Sequence, residues 1–214
     1  MEENLVLSVK NLEVRFFTYA GEVQAVSNVS FNVRENETYA LVGETGCGKT
    51  VTTRALTKLI NPPGKIIGGE VLFRRKDGTI VDLLKLEENE LRKIRGNEIS
   101  YVFQDPSSAL DPIYSVKEHF EETILAHNKM NKKNIKEKAI DILKKVLIPS
   151  PELRYKSFPH ELSGGMRQRV VISLAMINNP KLLIADEPTT NLDVTVQAQI
   201  LEIFKYMIKE RKMS

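Results

Sequence analysis

The sequence predicts an α/β fold arranged around a glycine-rich loop, and three observations support this. A β-prone segment at 38–42 leads into the loop, and apolar residues with helical spacing follow it. A second apolar run, residues 182–186, ends in the carboxylate of Asp186 and predicts a central parallel strand, whose C-terminal end lies at the ligand-binding edge of an open α/β sheet. Two alternating segments, 5–17 and 23–33, come before the loop and predict an antiparallel sheet laid against the core.

The composition is that of an ordinary folded domain. The chain has 214 residues, which suits one large domain or two small lobes, with 42% hydrophobic and 28% charged residues. A net charge of +3, spread along the chain, does not indicate nucleic acid binding. No apolar run could cross a bilayer, the N-terminus lacks a signal-peptide pattern, and the single cysteine, Cys47, excludes a disulfide framework.

The loop itself, Gly43 to Thr50, reads GETGCGKT and matches the phosphate-binding pattern G-x-x-x-x-G-K-[ST]. Its glycines allow a tight turn and let backbone amides approach phosphate oxygens. Lys49 can reach the β- and γ-phosphates, and the Thr50 hydroxyl can bind Mg²⁺. The competing interpretation is a glycine-rich turn before an ordinary helix.

The remaining elements are predicted from periodicity and turn residues. In chain order they are a helix over 51–60, a strand over 69–74, a hairpin turn at 76–78, a returning strand over 79–83, a helix over 87–94, a strand over 99–103 ending before Gln104, helices over 117–128 and 134–147, a helix after Ser163, a strand over 182–186, a tight loop over 188–193 and a helix over 194–209.

Two further segments carry candidate chemistry. Ser163 is a good N-cap before Gly164 and Gly165, so this helix start is either a second anion site or an ordinary capped helix. Asp186 can hold magnesium-bound water opposite Thr50, and Glu187 can act as base on an attacking water. Two acidic residues at a turn are the alternative.

Three aromatic residues lie near the first turn: Phe16, Phe17 and Tyr19. Core packing is the simplest explanation for each of them, and stacking on a purine is the alternative.

Together these motifs resemble a known family. A phosphate loop, a Gln after a strand, LSGG, and LLIADEP followed by LD occur in the order found in ATP-binding cassette (ABC) transporter ATPases. Three stretches closely resemble the ATPase subunits of oligopeptide and dipeptide importers: YVFQDPSSALDP, SFPHELSGGMRQRV and NPKLLIADEPTTNLDVTVQAQIL. ATPase subunits of importers of nickel or another small solute share these motifs, so such an importer stays an alternative.

The resemblance implies the P-loop NTPase fold of an ABC ATPase, with an N-terminal antiparallel β subdomain and a helical subdomain. Residues 1–104 and 169–214 would form the nucleotide-binding core with its β subdomain, and 105–168 the helical subdomain that carries LSGG. The implied cofactors are ATP and Mg²⁺.

The resemblance also assigns residue roles. The catalytic residues would be Glu187 as base, Gln104 and Lys49. Magnesium would be held by Thr50, Gln104 and Asp186. ATP would be bound by Phe16 against adenine and by Gly43, Glu44, Thr45, Gly46, Cys47, Gly48, Lys49, Thr50, Val51, Ser163, Gly164, Gly165 and Asp193.

The resemblance also implies partners. In the family, the LSGG segment binds the γ-phosphate of ATP held by another subunit, and the helical segment after Gln104 docks on the membrane subunits. The implied partners are a second ABC ATPase subunit in a head-to-tail dimer, two membrane permease subunits and, indirectly, an extracytoplasmic solute-binding protein, with no nucleic acid. The expected location is peripheral, at the cytoplasmic face of the cell membrane.

One departure from the family matters for activity. Family members carry a switch histidine after one more strand, and here no histidine follows Asp186. We therefore expect the C-terminal part of the core to be absent and hydrolysis to be weak or absent. The alternative functions are a nucleotide-binding fragment without catalysis and a non-transport ABC ATPase of DNA repair or translation.

Overall fold

A computed structural model describes residues 1–190 and 193–214, with side chains except at 107 and 207. The chain forms two compact units. The first comprises Met1–Arg95 and Lys212–Ser214, and the second comprises Gly96–Arg211. The predicted domains 1–104 with 169–214 and 105–168 are divisions by role and stay a prediction.

The first unit contains a four-stranded antiparallel sheet in the order β2-β1-β3-β4. Its strands are β1 (Leu5–Thr18), β2 (Gly21–Arg34), β3 (Gly64–Arg74) and β4 (Ile80–Asp82). This confirms the predicted antiparallel sheet. The predicted turn at 76–78 joins β3 to β4, where Asp77 Oδ1 accepts hydrogen bonds from the amide and hydroxyl of Thr79.

Apolar side chains of β1 and β3 fill the core of this unit. Leu7, Leu12, Val14, Val71 and Phe73 are at most 1% exposed. Helices α1 (Lys49–Ala55) and α2 (Glu88–Ile94) complete the unit. Helix α1 is shorter than the predicted 51–60, since the chain turns out of it at Lys58, which has φ of 55°.

The strand predicted at 38–42 is wrong. The segment is irregular, and it pairs with no strand in the part of the chain that the structure describes. Val42 is 91% exposed and Tyr39, which stacks on Phe31, is 44% exposed. Sequence preference for strand is not sufficient here, because a strand is stabilised by hydrogen bonds to a neighbouring strand.

The second unit combines a short parallel sheet with helices. Strands β5 (Ile99–Val102) and β6 (Leu182–Ala185) are parallel, as predicted for 182–186. Among the described residues β6 pairs only with β5, so the prediction of a central strand is not met there. The helices are α3 (Pro106–Ala109), α4 (Val116–Leu125), α5 (Lys132–Lys145), α6 (Pro151–Arg154), α7 (Gly164–Met176) and α8 (Val194–Arg211).

Helices α4, α5 and α7 bury a common apolar core. Phe120, Ile124, Ile142, Leu143 and Ile172 are fully buried. None of the helices in the described ranges has the length and apolar character to span a membrane. Of the loop predicted at 188–193, residues 191 and 192 lie outside the described residues.

Candidate functional site

The phosphate-loop motif lies in the first unit, where residues 43–48 form an exposed turn that leads into α1. Lys49 Nζ donates hydrogen bonds to the carbonyl oxygens of Gly43 and Glu44, at 2.7 and 2.8 Å. It also lies 3.8 Å from Sγ of Cys47, an exposed free thiol. The lysine therefore closes the loop on itself, and its ammonium group lies beside carbonyl oxygens of the loop whose amides are expected to bind phosphate.

Glycine is required at two positions of this loop. Gly46 and Gly48 have φ of 85° and 93°, in the left-handed region that side chains disfavour. A Cβ at Gly48 would lie 2.4 Å from the Ala25 carbonyl oxygen on β2. The loop can therefore pack against the β2 backbone only because this residue has no side chain.

Phe16, the predicted adenine-stacking residue, lies near the end of β1 and is half-buried. Its ring packs under Gly64, where an added Cβ would come within 2.7 Å of the ring. Phe17 is more exposed, and Lys65 Nζ lies 5.8 Å from the centre of its ring. One part of the Phe16 ring is therefore packed against Gly64, and stacking of this ring on adenine stays a prediction.

The predicted carboxylate pair lies in the second unit, directly after β6. Asp186 is 5% exposed, and its Oδ2 accepts a hydrogen bond from the Tyr101 hydroxyl at 3.0 Å. Because β5 and β6 are parallel and in register, Tyr101 lies beside Ile184, two residues before Asp186. The sheet thus brings the tyrosine hydroxyl to the strand end where the aspartate lies.

Glu187 is exposed and has φ of 46°, a conformation that costs a residue with a side chain about 1–2 kcal/mol. Its Oε2 accepts hydrogen bonds from Gln104 Nε2 at 2.9 Å and from Thr190 Oγ1 at 3.1 Å. The structure therefore brings Gln104 to Glu187, which lies 83 residues later in the chain and directly follows Asp186.

The LSGG segment begins α7. Ser163 is the N-cap, and its hydroxyl accepts a hydrogen bond from the Met166 amide at 3.3 Å. Ser163, Gly164 and Gly165 line a depression of about 470 Å³, and Asp193 lies on its wall. Asp193 also caps α8, because its Oδ1 accepts the Val196 amide at 2.9 Å. These four predicted nucleotide residues therefore surround one depression.

The predicted magnesium ligands are chemically suitable. A buried carboxylate at Asp186, the Gln104 amide and the Thr50 hydroxyl supply the oxygen atoms that Mg²⁺ prefers. The Tyr101 hydroxyl donates a hydrogen bond to Oδ2 of this carboxylate. The described residues form no cluster of three His, Cys, Asp or Glu, and the magnesium site stays a prediction.

Sequence reasoning missed Tyr101, Thr190 and Gln168. Tyr101 hydrogen-bonds Asp186 and Thr190 hydrogen-bonds Glu187, both predicted site residues, and Gln168 hydrogen-bonds the Pro188 carbonyl oxygen beside them. A signal existed only for Tyr101, since the pairing of 99–103 with 182–186 in one parallel sheet could have placed it near Asp186. The other two contacts depend on local geometry that no spacing rule predicts.

The loop GETGCGKT, with its lysine among the loop carbonyls, and a strand followed directly by Asp186 and Glu187 are the features of a P-loop nucleotide-binding protein. Residues 26–190 match the ABC transporter family, and the chain belongs to that family. This confirms the predicted family and the predicted fold class.

Two curated relatives from Bacillus subtilis (strain 168) are similar to the chain. It is 50% identical over 210 residues to the dipeptide transport ATP-binding protein DppD, covering 98% of the chain and 61% of the relative. It is 51% identical over 206 residues to the oligopeptide transport ATP-binding protein OppD, covering 96% and 56%. The chain thus spans about three fifths of the length of these relatives.

Solved structures share the fold. The ATP-binding cassette MJ0796, in a dimeric post-hydrolysis state bound to ADP and Pi, has a TM-score of 0.82 and 28% identity. That match covers 96% of the chain and 84% of MJ0796. CbiO1 from Clostridium perfringens, part of the ABC transporter complex cbiONQ, has a TM-score of 0.75 and 26% identity, with 99% and 76% covered.

Proposed function

We propose that the chain binds and hydrolyses ATP to energise ABC-type import of oligopeptides or dipeptides. The observation that carries this proposal is the contact of Gln104 with Glu187, at 2.9 Å, next to the buried Asp186. This arrangement suits a base held in place beside a metal-linked carboxylate. The names of the relatives support the peptide as cargo.

Binding begins at the phosphate loop. The β- and γ-phosphates of ATP take the place of the Gly43 and Glu44 carbonyls as partners of the Lys49 ammonium, which moves from neutral acceptors to charged ones. Amides of the loop from Gly43 to Val51 complete the anion site, and the Phe16 ring contacts the adenine. Mg²⁺ would be held by Thr50, Gln104 and Asp186, and it would neutralise phosphate charge.

Hydrolysis uses Glu187 as the base. Its carboxylate removes a proton from a water molecule, whose oxygen forms a bond to the γ-phosphorus in line with the leaving group. The bond from that phosphorus to the β–γ bridging oxygen breaks, and its electron pair leaves with ADP. Gln104 and Thr190 hydrogen-bond one Glu187 oxygen, so the other oxygen can face the water.

The depression formed by Ser163, Gly164, Gly165 and Asp193 receives the γ-phosphate of ATP bound to a second ATPase subunit in head-to-tail orientation. The further partners are two membrane permease subunits and, through them, an extracytoplasmic solute-binding protein. The chain is then peripheral at the cytoplasmic face of the membrane. A net charge of +3 gives no reason to add nucleic acid.

Binding of ATP to the purified chain tests the first half of this proposal. Lys49→Ala should weaken binding of a fluorescent ATP analogue at least tenfold, since a charged phosphate contact is lost. Lys10→Ala removes the same charge from a surface pair with Glu70 and serves as the control. Equal affinity of wild type and Lys49→Ala would contradict the phosphate site.

Hydrolysis is tested with Glu187→Gln, in the chain alone and with a partner ATPase subunit. Turnover should fall at least a hundredfold while ATP binding persists, whereas Glu202→Gln, at an exposed pair with Lys205, should leave both unchanged. Binding without any turnover of the wild type, even with a partner, would favour the non-catalytic alternative. Uptake of labelled dipeptide compared with Ni²⁺ by the assembled transporter decides between the two cargoes.

A further inference from the structure

Gln168 is a polar side chain in the interior of the second unit. It lies on α7, is 1% exposed, and its Nε2 donates a hydrogen bond to the Pro188 carbonyl oxygen at 2.8 Å. Its neighbours on the helix, Val170 and Ile172, are buried and apolar. A buried amide is tolerated only when its hydrogen bonds are satisfied, so this bond to the loop after β6 is a determinant of the local structure.

The bond joins two parts of the proposed site. Gln168 is one turn of helix beyond Gly165, which lines the depression at the start of α7. Pro188 directly follows Glu187, the proposed base. The amide thus connects the helix that receives an anion to the residue next to the base.

The same helix also contacts the start of α8, on the other side of this loop. A Cβ on Gly165 would lie 3.1 Å from the Val196 side chain, and Arg169 hydrogen-bonds Gln199. Helix α7 therefore contacts both the segment that links β6 to α8 and the start of α8.

Helix α7 also contains a buried polar residue whose hydrogen bond stays within the helix. Ser173, which is fully buried on the same helix, donates its hydroxyl to the Arg169 carbonyl at 2.7 Å, within the helix. Gln168 instead reaches out of the helix to the loop. The two residues provide a matched comparison between a local and a bridging hydrogen bond.

Glu187 requires such a support. Its φ of 46° is unfavourable for a residue with a side chain, and such conformations persist only where the surroundings fix them. The Thr190 amide donates to the Glu187 carbonyl at 3.2 Å, which closes the turn locally. The bond from Gln168 attaches the same turn to α7.

We infer that Gln168 is a positioning residue, which fixes the backbone of Glu187 to the helix that carries the LSGG motif. An anion bound at Ser163–Gly165 can then affect the orientation of Glu187 through the buried hydrogen bond from Gln168 to the Pro188 carbonyl. The inference rests on the proposed function, because only there does Glu187 act as a base.

Amide hydrogen exchange in the 214-residue chain tests the bond without requiring turnover. Gln168→Met keeps the length of the side chain and removes the donor, so the amides of Glu187, Thr189 and Thr190 should exchange about tenfold faster. Gln168→Leu also removes the donor and is the second variant, should the first fail to fold. Ser173→Ala is the control, and it should leave these amides unchanged.

Two exchange results would overturn the inference. One is unchanged exchange at 187–190 in both Gln168 variants. The other is faster exchange by the same factor throughout α7 and β5, which would show a general loss of stability rather than positioning.

Kinetics in the assembled transporter supply the functional readout. Gln168→Met should lower kcat about tenfold and leave KM for ATP within about twofold, because a displaced base affects the chemical step rather than binding. An increase of KM at constant kcat would contradict a positioning role. Absence of ATP binding by the wild-type chain would refute the proposed function instead, and the exchange result would still stand.

Discussion

Replacement of Gly48 by alanine tests how the phosphate loop is held against the sheet. Two costs follow from the structure. The φ of 93° disfavours a side chain by about 1–2 kcal/mol. In addition, the new Cβ would lie 2.4 Å from the Ala25 carbonyl oxygen, a distance that no real contact allows. Ala25 belongs to the β2 backbone, so relief requires movement of the loop.

Gly46→Ala separates these two costs. Gly46 has a similar φ of 85°, and nothing lies within 4 Å of the position of its Cβ. It should therefore show the backbone cost alone, which is about five- to thirtyfold in affinity for ATP. Gly48→Ala should add the steric cost, of at least about 1.5 kcal/mol by comparison with overpacked sites, and should lose more than about a hundredfold.

Titration with a fluorescent ATP analogue measures both affinities, and thermal unfolding shows whether either variant is globally damaged. Equal losses of affinity for the two variants would refute the reasoning, because they would show that the contact with β2 does not constrain the loop.

Three other predictions concern single hydrogen-bonding groups. Tyr101→Phe keeps the ring stacked on Phe103 but removes the hydrogen bond to Asp186, so magnesium-dependent ATP binding should weaken several-fold while binding without magnesium stays unchanged in the same titration. Hydrogen bonds from Thr79 lower the pKa of Asp77 below its ordinary value of 3.8. The Asp77 carboxylate therefore stabilises the fold above pH 3.8, and this stabilisation is lost as the pH falls through the lowered pKa. The difference in denaturant midpoint between wild type and Asp77→Ala should vanish in acid. Burial, with the charge of Glu121, raises the pKa of Tyr155 to about 12, and among the described residues the Tyr155 hydroxyl has no hydrogen-bond partner. Tyr155→Phe should therefore stabilise the chain by about 1 kcal/mol in urea unfolding. A lower urea midpoint for the variant would contradict this.

The sequence predicted most elements of the fold because their signals are local. The alternation of 5–17 and the turn at 76–78 predict β1 and the β3–β4 hairpin, and the structure contains both. The prediction failed at 38–42, where local preference favours a strand but no neighbouring strand in the described residues supplies hydrogen bonds. Helix α1 ended early because the chain reverses at Lys58.

The candidate site was predicted in its motif residues but not in its supporting contacts. Spacing patterns identify the loop at 43–50 and the pair Asp186–Glu187, since their chemistry needs fixed residue types. The bonds from Tyr101, Thr190 and Gln168 depend on side-chain orientation and on pairings between distant segments. Such contacts become visible only once the chain is folded.

The exposed segment at 38–42 has a consequence for handling the protein. It carries β-prone residues, including Tyr39 and the 91% exposed Val42, and within the described residues its backbone joins no sheet. Unpaired backbone amides and carbonyls next to apolar side chains form a template onto which another copy can add a strand. The purified chain should therefore self-associate as its concentration rises, and a charged residue in place of Val42 should slow that association in light scattering.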